Sequence, residues 1–323
     1  MNSVDLDRVV LHGVDANTAD SAQNAQKVDL HSHSLYSDGE LSPFALLDLA
    51  REKQIDTFAL TDHDTMEGSL LVESYAKEIG INLIRGVEIS SYWQRPSTKK
   101  SYAVHIVALN MRNLAPMQDL LEKQKLQRAE RALLICEKLQ QVLKTDFLPE
   151  VRALVDGHDD RITRAHIAKV LVKRNVVTRL QQAFDRFLKE GKRAYVPFIG
   201  VEMADAIQII HDSQGVAVLA HPTKYDLSAT NMRYMIERFS EAGGDAIELP
   251  PSNESPATRQ MIDRLIAQYD LKVSVGSDFH GSHMPWLHLG NVPQLKDGQV
   301  GVWQSFYQDH ISPMVAIANT SIA

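Results

Sequence analysis

Residues 55–65 read IDTFALTDHDT: an apolar strand-like run, 55–60, closed at once by His63 between Asp62 and Asp64. The same syntax recurs along the chain. VDL (28–30) is a short buried strand leading into His31-Ser-His33, and INLIRGVEIS (81–90) carries Glu88 beyond its apolar part. SYAVHIVAL (101–109) holds His105, GVAVLAH (215–221) ends in His221, DAIEL spans 245–249, and LKVSVGSDFH (271–280) delivers Asp278 and His280. Helical segments fall between the strands. Ser42 can cap a helix through Lys53 that has Pro43 in its first position, and Gly80 closes another over about 66–79. Further helices are expected at 201–213, near 230–242 and at 256–269. Such alternation predicts an α/β fold, a parallel sheet with helices outside it that closes as a barrel.

The alternation breaks between residues 113 and 194, where the periodicity is helical only, as in MQDLLEKQKLQRAERALLICEKLQQVL. This block reads as an insertion into the barrel. The expected organisation is a flexible tail over 1–26, a barrel domain from 27–112 and 195–290, an all-helical insertion or cap over 113–194, and a C-terminal segment over 291–323. GVWQSFYQDHISPMVAIA (301–318) is expected to dock on the barrel as a helix.

Composition narrows the class. The 323 residues are 44% hydrophobic and 23% charged, ordinary globular usage that argues against disorder, collagen and low-complexity classes. A net charge of −7 argues against a generally basic nucleic-acid binder. The single cysteine, Cys136, fits a reducing compartment and a buried structural thiol within a helix. Residues 1–26 lack the apolar core of a signal peptide and no run approaches a membrane span, so a cytoplasmic protein is expected. Residues 113–194 hold 17 Lys/Arg against 11 Asp/Glu, net +6, whereas the remainder carries 17 against 30, net −13. A basic cap over an acidic barrel suits an anionic substrate held beside cations. Solvated helix faces carrying Lys and Arg explain the same count.

His31, His33, Asp38, His63, Glu88, His105, His221, Asp278 and His280 therefore lie at or near the ends of six candidate strands. In a parallel barrel those ends share the face where sites assemble. Histidines with only structural roles would not favour strand ends. Nine imidazole and carboxylate ligands exceed what one ion uses, implying two or three, with Glu88 the candidate bridge. Nitrogen and oxygen ligation without thiolate suits Mn, Zn or Fe and argues against a Mg-only or Ca site, and the ligands alone do not choose among the three; Mn is the expectation. Asp62 and Asp64 are candidates for a supporting hydrogen bond or a helix cap, the cap being preferred for Asp64.

The series His31-x-His33, Asp38, Thr-Asp-His63-Asp, Gly-Val-Glu88, His105, Ala-His221-Pro and Gly-Ser-Asp278-Phe-His280 resembles the PHP family, the polymerase and histidinol phosphatase phosphoesterases. The likeness runs from about residue 28 to 290 and fills all nine of that family's metal positions. It implies a distorted seven-stranded (β/α) barrel, TIM-like, with a trinuclear site. By that resemblance His31, His33, Glu88 and Asp278 hold one ion, Asp38, His63 and His280 a second, and His105 and His221 a third bridged by Glu88. The helical block after His105 resembles the branch containing 3′,5′-nucleoside bisphosphate phosphatases and the 5′-to-3′ exoribonuclease RNase AM. ITRAHIAKVL (162–171) and RFLKEGKRAYVP (186–197) look like cap segments of that branch.

The implied activity is metal-assisted hydrolysis of the 3′-phosphoester of 5′-phosphorylated nucleotides, acting on 3′,5′-nucleoside bisphosphates or on RNA 5′ ends. Cations acidify a water, from a pKa of 15.7 toward roughly 7, so no Ser or Cys nucleophile is needed. Arg164 and His166 are candidates for the 5′-phosphate, and can converge on it only if a helix begins there with Thr163 as its cap. An ordinary solvated helix start is the plainer reading. Lys192 and Arg193 are a hinge, a clamp or exposed linker charge. Competing readings are a small-metabolite phosphomonoesterase of the histidinol-phosphate kind, a C–N hydrolase on a metal barrel, and a non-catalytic metal-dependent RNA-binding module. No protein partner is legible.

Overall fold

The computed structural model describes residues 26–306 apart from 199 and 285, so the expected tail before Gln26 and the expected docking helix beyond Phe306 lie outside the described residues. The first elements are β1 (Val28–Asp29), α1 (Pro43–Glu52), β2 (Thr57–Leu60), α2 (Glu67–Leu71), α3 (Glu73–Ile79), β3 (Asn82–Gln94) and β4 (Ser101–Leu109). Four helices follow without a strand: α4 (Ala115–Leu143), α5 (Leu148–Ala153), α6 (Arg164–Lys173) and α7 (Leu180–Ala183), the last running into a π-helical turn over Phe184–Leu188. Alternation resumes with β5 (Val201–Glu202), α8 (Met203–Asp212), β6 (Val216–Leu219), α9 (Ala229–Glu241), β7 (Ala246–Glu248), α10 (Pro256–Gln268) and β8 (Lys272–Ser274), before α11 (Trp303–Phe306).

Local chemistry accounts for the boundaries. Ser42 Oγ accepts from the Ala45 N–H at 3.2 Å, Pro43 follows it, and Gly80 ends α3 at φ 78°. The single helix expected over 66–79 is two, because Val72 leaves helical geometry between α2 and α3 and sinks wholly into the core.

The strands form one sheet in the order β1-β2-β3-β4-β6-β7-β8, with β5 paired to β3. It is mixed rather than parallel. The β1-β2-β3 and β6-β7-β8 runs are parallel, but β4 lies antiparallel to both β3 and β6. The reason is the connection. Residues 95–100 are too few for the crossover that parallel neighbours require, about a dozen residues, so the chain turns straight back as a hairpin. The sheet curls until its edge strands meet. Beyond β1 and β8, Ser32 and Phe279 form a bridge, and Leu30, Asp278 and His33 donate backbone N–H groups to Val275, His31 and Phe279 across the seam, each at 2.9 Å.

The buried apolar residues separate into clusters. One fills the sheet and the helices on it, including Ile89, Ile106, Ile207, Met235 and Ile262, and another lies beneath α1 and α3. A separate cluster around Leu139, Phe147, Ile167 and Leu188 belongs to the helical block, Cys136 included. Helix α4, 29 residues and about 43 Å long, joins the two regions: Met117, Leu120 and Leu121 pack with the sheet, while Ile135 and Leu139 pack within the block.

A buried polar seam fixes α4 to the sheet. Asp64, at φ 53°, accepts from Ser90 N at 2.7 Å, Gln124 Nε2 at 2.6 Å and Arg128 Nε at 2.5 Å. Arg128 also donates to Ser90 Oγ at 2.7 Å, and Gln124 Oε1 accepts from Val201 N at 3.2 Å. Asp64 is thus not the expected helix cap: α2 begins after Met66 without a side-chain cap. Its carboxylate ties β3 to α4 instead. An outer pair of contacts, Lys125 and Arg161 to Glu67, is largely solvated. The two seams should differ in urea unfolding. Asp64→Ala strands a mostly buried guanidinium and should cost about 3–5 kcal/mol, while Glu67→Ala should cost less than about 1 kcal/mol.

Candidate active site

The chain presents its chemistry just beyond β1, β2, β6 and β8 and inside β3 and β4, since Glu88 lies within β3 rather than beyond it as expected. His31 and His33 follow β1, in a loop held by Asp62: its carboxylate accepts from Ser34 N, Ser34 Oγ and Ser37 Oγ, each at 2.7 Å. Asp62 therefore supports the histidine loop by hydrogen bonds. Two close approaches require glycine there. A Cβ on Gly39 would lie 2.2 Å from the His33 carbonyl oxygen, and one on Gly276 would lie 2.2 Å from His31 Cβ. His63 bridges to Glu88 of β3. His105 is not at a strand end, since β4 is reversed, yet register places it opposite Ser90 and so on the Glu88 face. His221 and Asp278 take left-handed backbone at φ 28° and 52°. Such backbone costs of order 1–3 kcal/mol in a non-glycine residue and gathers where function demands it.

All nine candidates converge. Glu88, with no solvent exposure, sits at the centre. Its Oε1 lies 2.7 Å from His105 Nδ1 and 2.9 Å from His221 Nε2. Its Oε2 lies 2.9 Å from His63 Nδ1, 3.2 Å from His33 Nε2 and 3.4 Å from His31 Nε2. Asp278 Oδ1 is 3.2 Å from His33 and 3.5 Å from His31, and Asp38 Oδ1 is 3.3 Å from His280 and 3.8 Å from His63. Four overlapping groups result, His33-Asp38-His63-His280, His31-His33-Asp278, His31-Glu88-His221 and His63-Glu88-His105, each with ligand atoms within 4.8 Å of one another. His105 and His221 share Glu88 Oε1 but fall in different groups.

These spacings suit cations. Bonds of about 2.1 Å to a common ion put neighbouring ligand atoms roughly 3.0–3.4 Å apart. Asp38 Oδ1, His63 Nδ1, Glu88 Oε2 and His221 Nδ1 are buried without a hydrogen bond, although His63 Nδ1 and Glu88 Oε2 lie only 2.9 Å apart. Buried polar atoms are otherwise almost always paired. The donors are imidazole nitrogen and carboxylate oxygen throughout, the mixture that Mn, Zn and Fe accept.

Electrostatics tell the same story. Burial would raise the Glu88 carboxyl, but His105, His63 and His31 hold it well below the usual range. Asp278 is held low against burial by His31 and His33, and Asp38 by His280 and His63. In return, burial of His31 is outweighed by Glu248, Glu88 and Asp278, which raise it well above the ordinary value; His33 rises to about 10, chiefly through Asp278 and Glu88. His63 goes the other way because burial wins. One fully buried carboxylate and two largely enclosed ones at this spacing call for positive charge between them.

Several contributors escaped the sequence reading. Glu248, at the end of β7, sits 2.6 Å from His31 Nδ1 and turns Nε2 toward the centre. Its position at the end of DAIEL was the available signal. The Tyr225 hydroxyl donates to the Ala220 carbonyl at 2.8 Å and accepts from His105 N at 2.8 Å, bracing the chain beside His105 and His221. Lys224 Nζ donates to Asp278 Oδ2 at 2.6 Å.

Helix α6 begins at Arg164, as convergence of Arg164 and His166 required. Thr163 Oγ1 accepts from His166 N at 3.3 Å, and Thr163 N donates to His166 Nδ1 at 3.2 Å, a reciprocal capping box. That bond leaves the ring proton on Nε2. Burial lowers His166 to about 4 despite the attraction of Asp38, so it can offer an anion a neutral donor but no charge near pH 7. Arg164 stands 5.7 Å from the Phe184 ring centre, and Arg131 of α4 stands 5.7 Å from that of Phe198. Burial, with Arg164 and Arg128 nearby, pushes Arg131 down to about 9; Arg164 is lowered by burial and by Arg128, against Tyr195 and Asp38. Neither Arg131 nor Arg164 makes an ion pair among the described residues. Arg131 also escaped the sequence reading, since it is one of many basic residues on a long helix. Lys192 and Arg193 are exposed linker residues.

His166 supplies a pH test. It titrates at about 4 when folded and near 6.5 when unfolded, so the unfolded chain binds more protons between those values. Its contribution to stability therefore falls as pH drops from about 6.5 to about 4, by up to roughly 3 kcal/mol. His166→Gln keeps an acceptor in the capping box without proton uptake. Melting temperature should decline more for the wild type than for the variant across that window, and parallel declines would contradict the assignment.

Comparison with known proteins places this geometry. The profile of the PHP domain matches residues 29–197. A 5′-3′ exoribonuclease of Haemophilus influenzae is 39% identical over 282 residues, covering 87% of this chain and 99% of the relative. A 3′,5′-nucleoside bisphosphate phosphatase of Chromobacterium violaceum is 32% identical over 278 residues, covering 86% and 95%. Among solved structures, one described as an amidohydrolase from Chromobacterium violaceum, with bound sulfate and no metal, superposes with a TM-score of 0.78 at 29% identity, covering 87% of this chain and 96% of that one. With a profile across more than half its length and a relative matched almost end to end, the chain belongs to the PHP domain family.

Proposed function

We propose that this protein is a metal-dependent phosphoesterase that hydrolyses the 3′-phosphoester of 5′-phosphorylated nucleotides, in 3′,5′-nucleoside bisphosphates and at RNA 5′ ends. The observation that carries this reading is the pairing of two sites. Nine convergent imidazoles and carboxylates share a neighbourhood with two half-buried guanidiniums, Arg164, which feels the charge of Asp38, and Arg131, which feels that of Arg164, neither of them ion-paired among the described residues. The names of the exoribonuclease and bisphosphate phosphatase relatives agree with it. The curled sheet is read as the distorted seven-stranded barrel, with residues 113–194 as its cap and the cytoplasm as its location.

Two or three divalent ions, Mn foremost and Zn or Fe also compatible, would be held by His31, His33, Asp38, His63, Glu88, His105, His221, Asp278 and His280. Bound there they would supply an acidified water and positive charge for the phosphate oxygens. The protein does the rest by positioning. Glu88 turns one oxygen to His105 and His221 and the other to His31, His33 and His63, the disposition of a bridge. Glu248 fixes His31, and Tyr225 fixes the backbone of His105. Arg164 and Arg131 hold the 5′-phosphate with the Nε2–H of His166. Cleavage at the 3′-oxygen then frees phosphate from a bisphosphate and a 5′-mononucleotide from RNA. A C–N hydrolase that relies on a lysine at its metals is disfavoured: the one lysine ion-paired with the convergent side chains among the described residues, Lys224, has its ammonium held by Asp278. A simple phosphomonoester would leave the guanidinium pair without a role.

Three measurements test this reading. Glu248→Gln should weaken Mn binding about 10–100-fold in chelator competition, and unchanged affinity would remove Glu248 from the support of the site. The Mn-loaded protein should release mononucleotides from a 5′-phosphorylated oligoribonucleotide. Arg164→Ala should cut kcat/KM on that substrate roughly 10–100-fold while sparing a generic aryl phosphate. Equal losses on both would sink the 5′-phosphate assignment.

A further inference from the structure

Lys224 is the one lysine or arginine among the described residues that makes an ion pair with any of the nine convergent side chains. Its ammonium donates to Asp278 Oδ2 at 2.6 Å, while Oδ1 of the same carboxylate faces His33 at 3.2 Å and His31 at 3.5 Å. The carboxylate is thereby divided, one oxygen turned inward and the other held from outside. Asp278 is 13% exposed and the Lys224 side chain 36%, so the ammonium sits on the solvent side of the cluster.

Its placement is constrained rather than incidental. Lys224 ends a short 3₁₀ turn, Pro222–Lys224, and its N–H donates to the His221 carbonyl at 2.9 Å. On the other side, Tyr225 is anchored through its hydroxyl to Ala220 and His105. The backbone of Lys224 is thus leashed between chain segments that carry site residues. An ammonium has three donors, of which Asp278 engages one. It is also a compact point charge, suited to a single phosphate oxygen.

The charges around the site are distributed on two sides. Asp38 meets His280 Nε2 at 3.3 Å, and Asp278 meets His280 Nδ1 at 3.6 Å, so the two carboxylates flank one imidazole from opposite ring nitrogens. Arg164 and His166 feel the charge of Asp38, and Lys224 that of Asp278 and Glu248.

We propose that Lys224 is a substrate-contacting residue whose ammonium, while paired with Asp278, binds a non-bridging oxygen of the phosphoester being cleaved. The inference rests on the phosphoesterase reading and extends it. It predicts that Lys224 acts on every phosphoester the site takes, whatever lies at the 5′ position.

The test uses the full-length Mn-loaded protein, its Lys224→Met and Lys224→Arg variants, and the same pair made in an Arg164→Ala background, so that the guanidinium site does not mask binding. Calorimetry with inorganic phosphate reads binding, elemental analysis reads metal content, and kinetics compare a 3′,5′-bisphosphate with an aryl phosphate. Lys224→Met should weaken phosphate at least about tenfold and lower kcat/KM about 10²–10³-fold on both substrates, with metal content unchanged. Lys224→Arg should recover part of both losses. Phosphate affinity within twofold of the parent, or loss of metal from the Met variant, would overturn the proposal, the second outcome making Lys224 only a prop for Asp278. Absence of phosphate binding by the loaded parent would overturn it too. If the parent binds phosphate but hydrolyses neither substrate, the phosphoesterase reading falls while the calorimetry still decides whether Lys224 contacts phosphate.

Discussion

One carboxylate, Glu88, is enclosed completely and has imidazoles on both of its oxygens. An isolated buried carboxylate would protonate or destabilise the fold, so this position obliges the surrounding chain to supply positive charge. Much of the architecture answers that demand. The curl of the sheet brings the ends of β1 and β8 together, so that His31, His33 and Asp278 reach the same few ångströms as a residue of β3. The reversed β4 adds His105 from the opposite chain direction. Left-handed backbone at His221 and Asp278 aims two more side chains inward. Packing alone would not select such conformations, because each is locally costly.

Much of this was legible in the sequence, for an identifiable reason. An apolar strand that ends abruptly in histidine or acid is visible without coordinates, and His63, His221 and the Asp278–His280 pair follow that pattern. The strands around them appear near their expected positions, as do the cap at Ser42, the stop at Gly80 and the start of α6 at Arg164. What failed was direction. Hydrophobic pattern reports burial but not whether a strand runs up or down, so it predicts β4 as one more parallel strand. The length of its connection, residues 95–100, held the information that pattern lacked.

The other omissions share a different cause. Glu248, Lys224 and Tyr225 act through partners far away in sequence, and nothing local distinguishes a glutamate that orients His31 from one at an ordinary strand end. Asp64 shows the converse. Its neighbours suggested a helix cap, but its acceptors are taken by Ser90, Gln124 and Arg128, from elements 26 to 64 residues away. Tertiary competition for a carboxylate overrides local preference when charge-assisted donors are available, since those bonds are roughly twice as strong as neutral ones.

Helix α4 shows why that competition matters for chemistry. Arg128 and Arg131 are three residues apart on the same helix, one locked to Asp64 beside His63, the other near Arg164 and without an acidic partner among the described residues. On an α-helix such residues are neighbours on one face, one turn apart, and the helix between them cannot stretch. The buried tie at Asp64 therefore fixes where Arg131 stands relative to the loop that carries His63, as a rigid ruler would. A flexible insertion could add basic charge but could not hold that spacing. On the reading proposed above, selection between a substrate with a second phosphate at the right remove and one without it would draw on this helix, whose register is set by one buried aspartate.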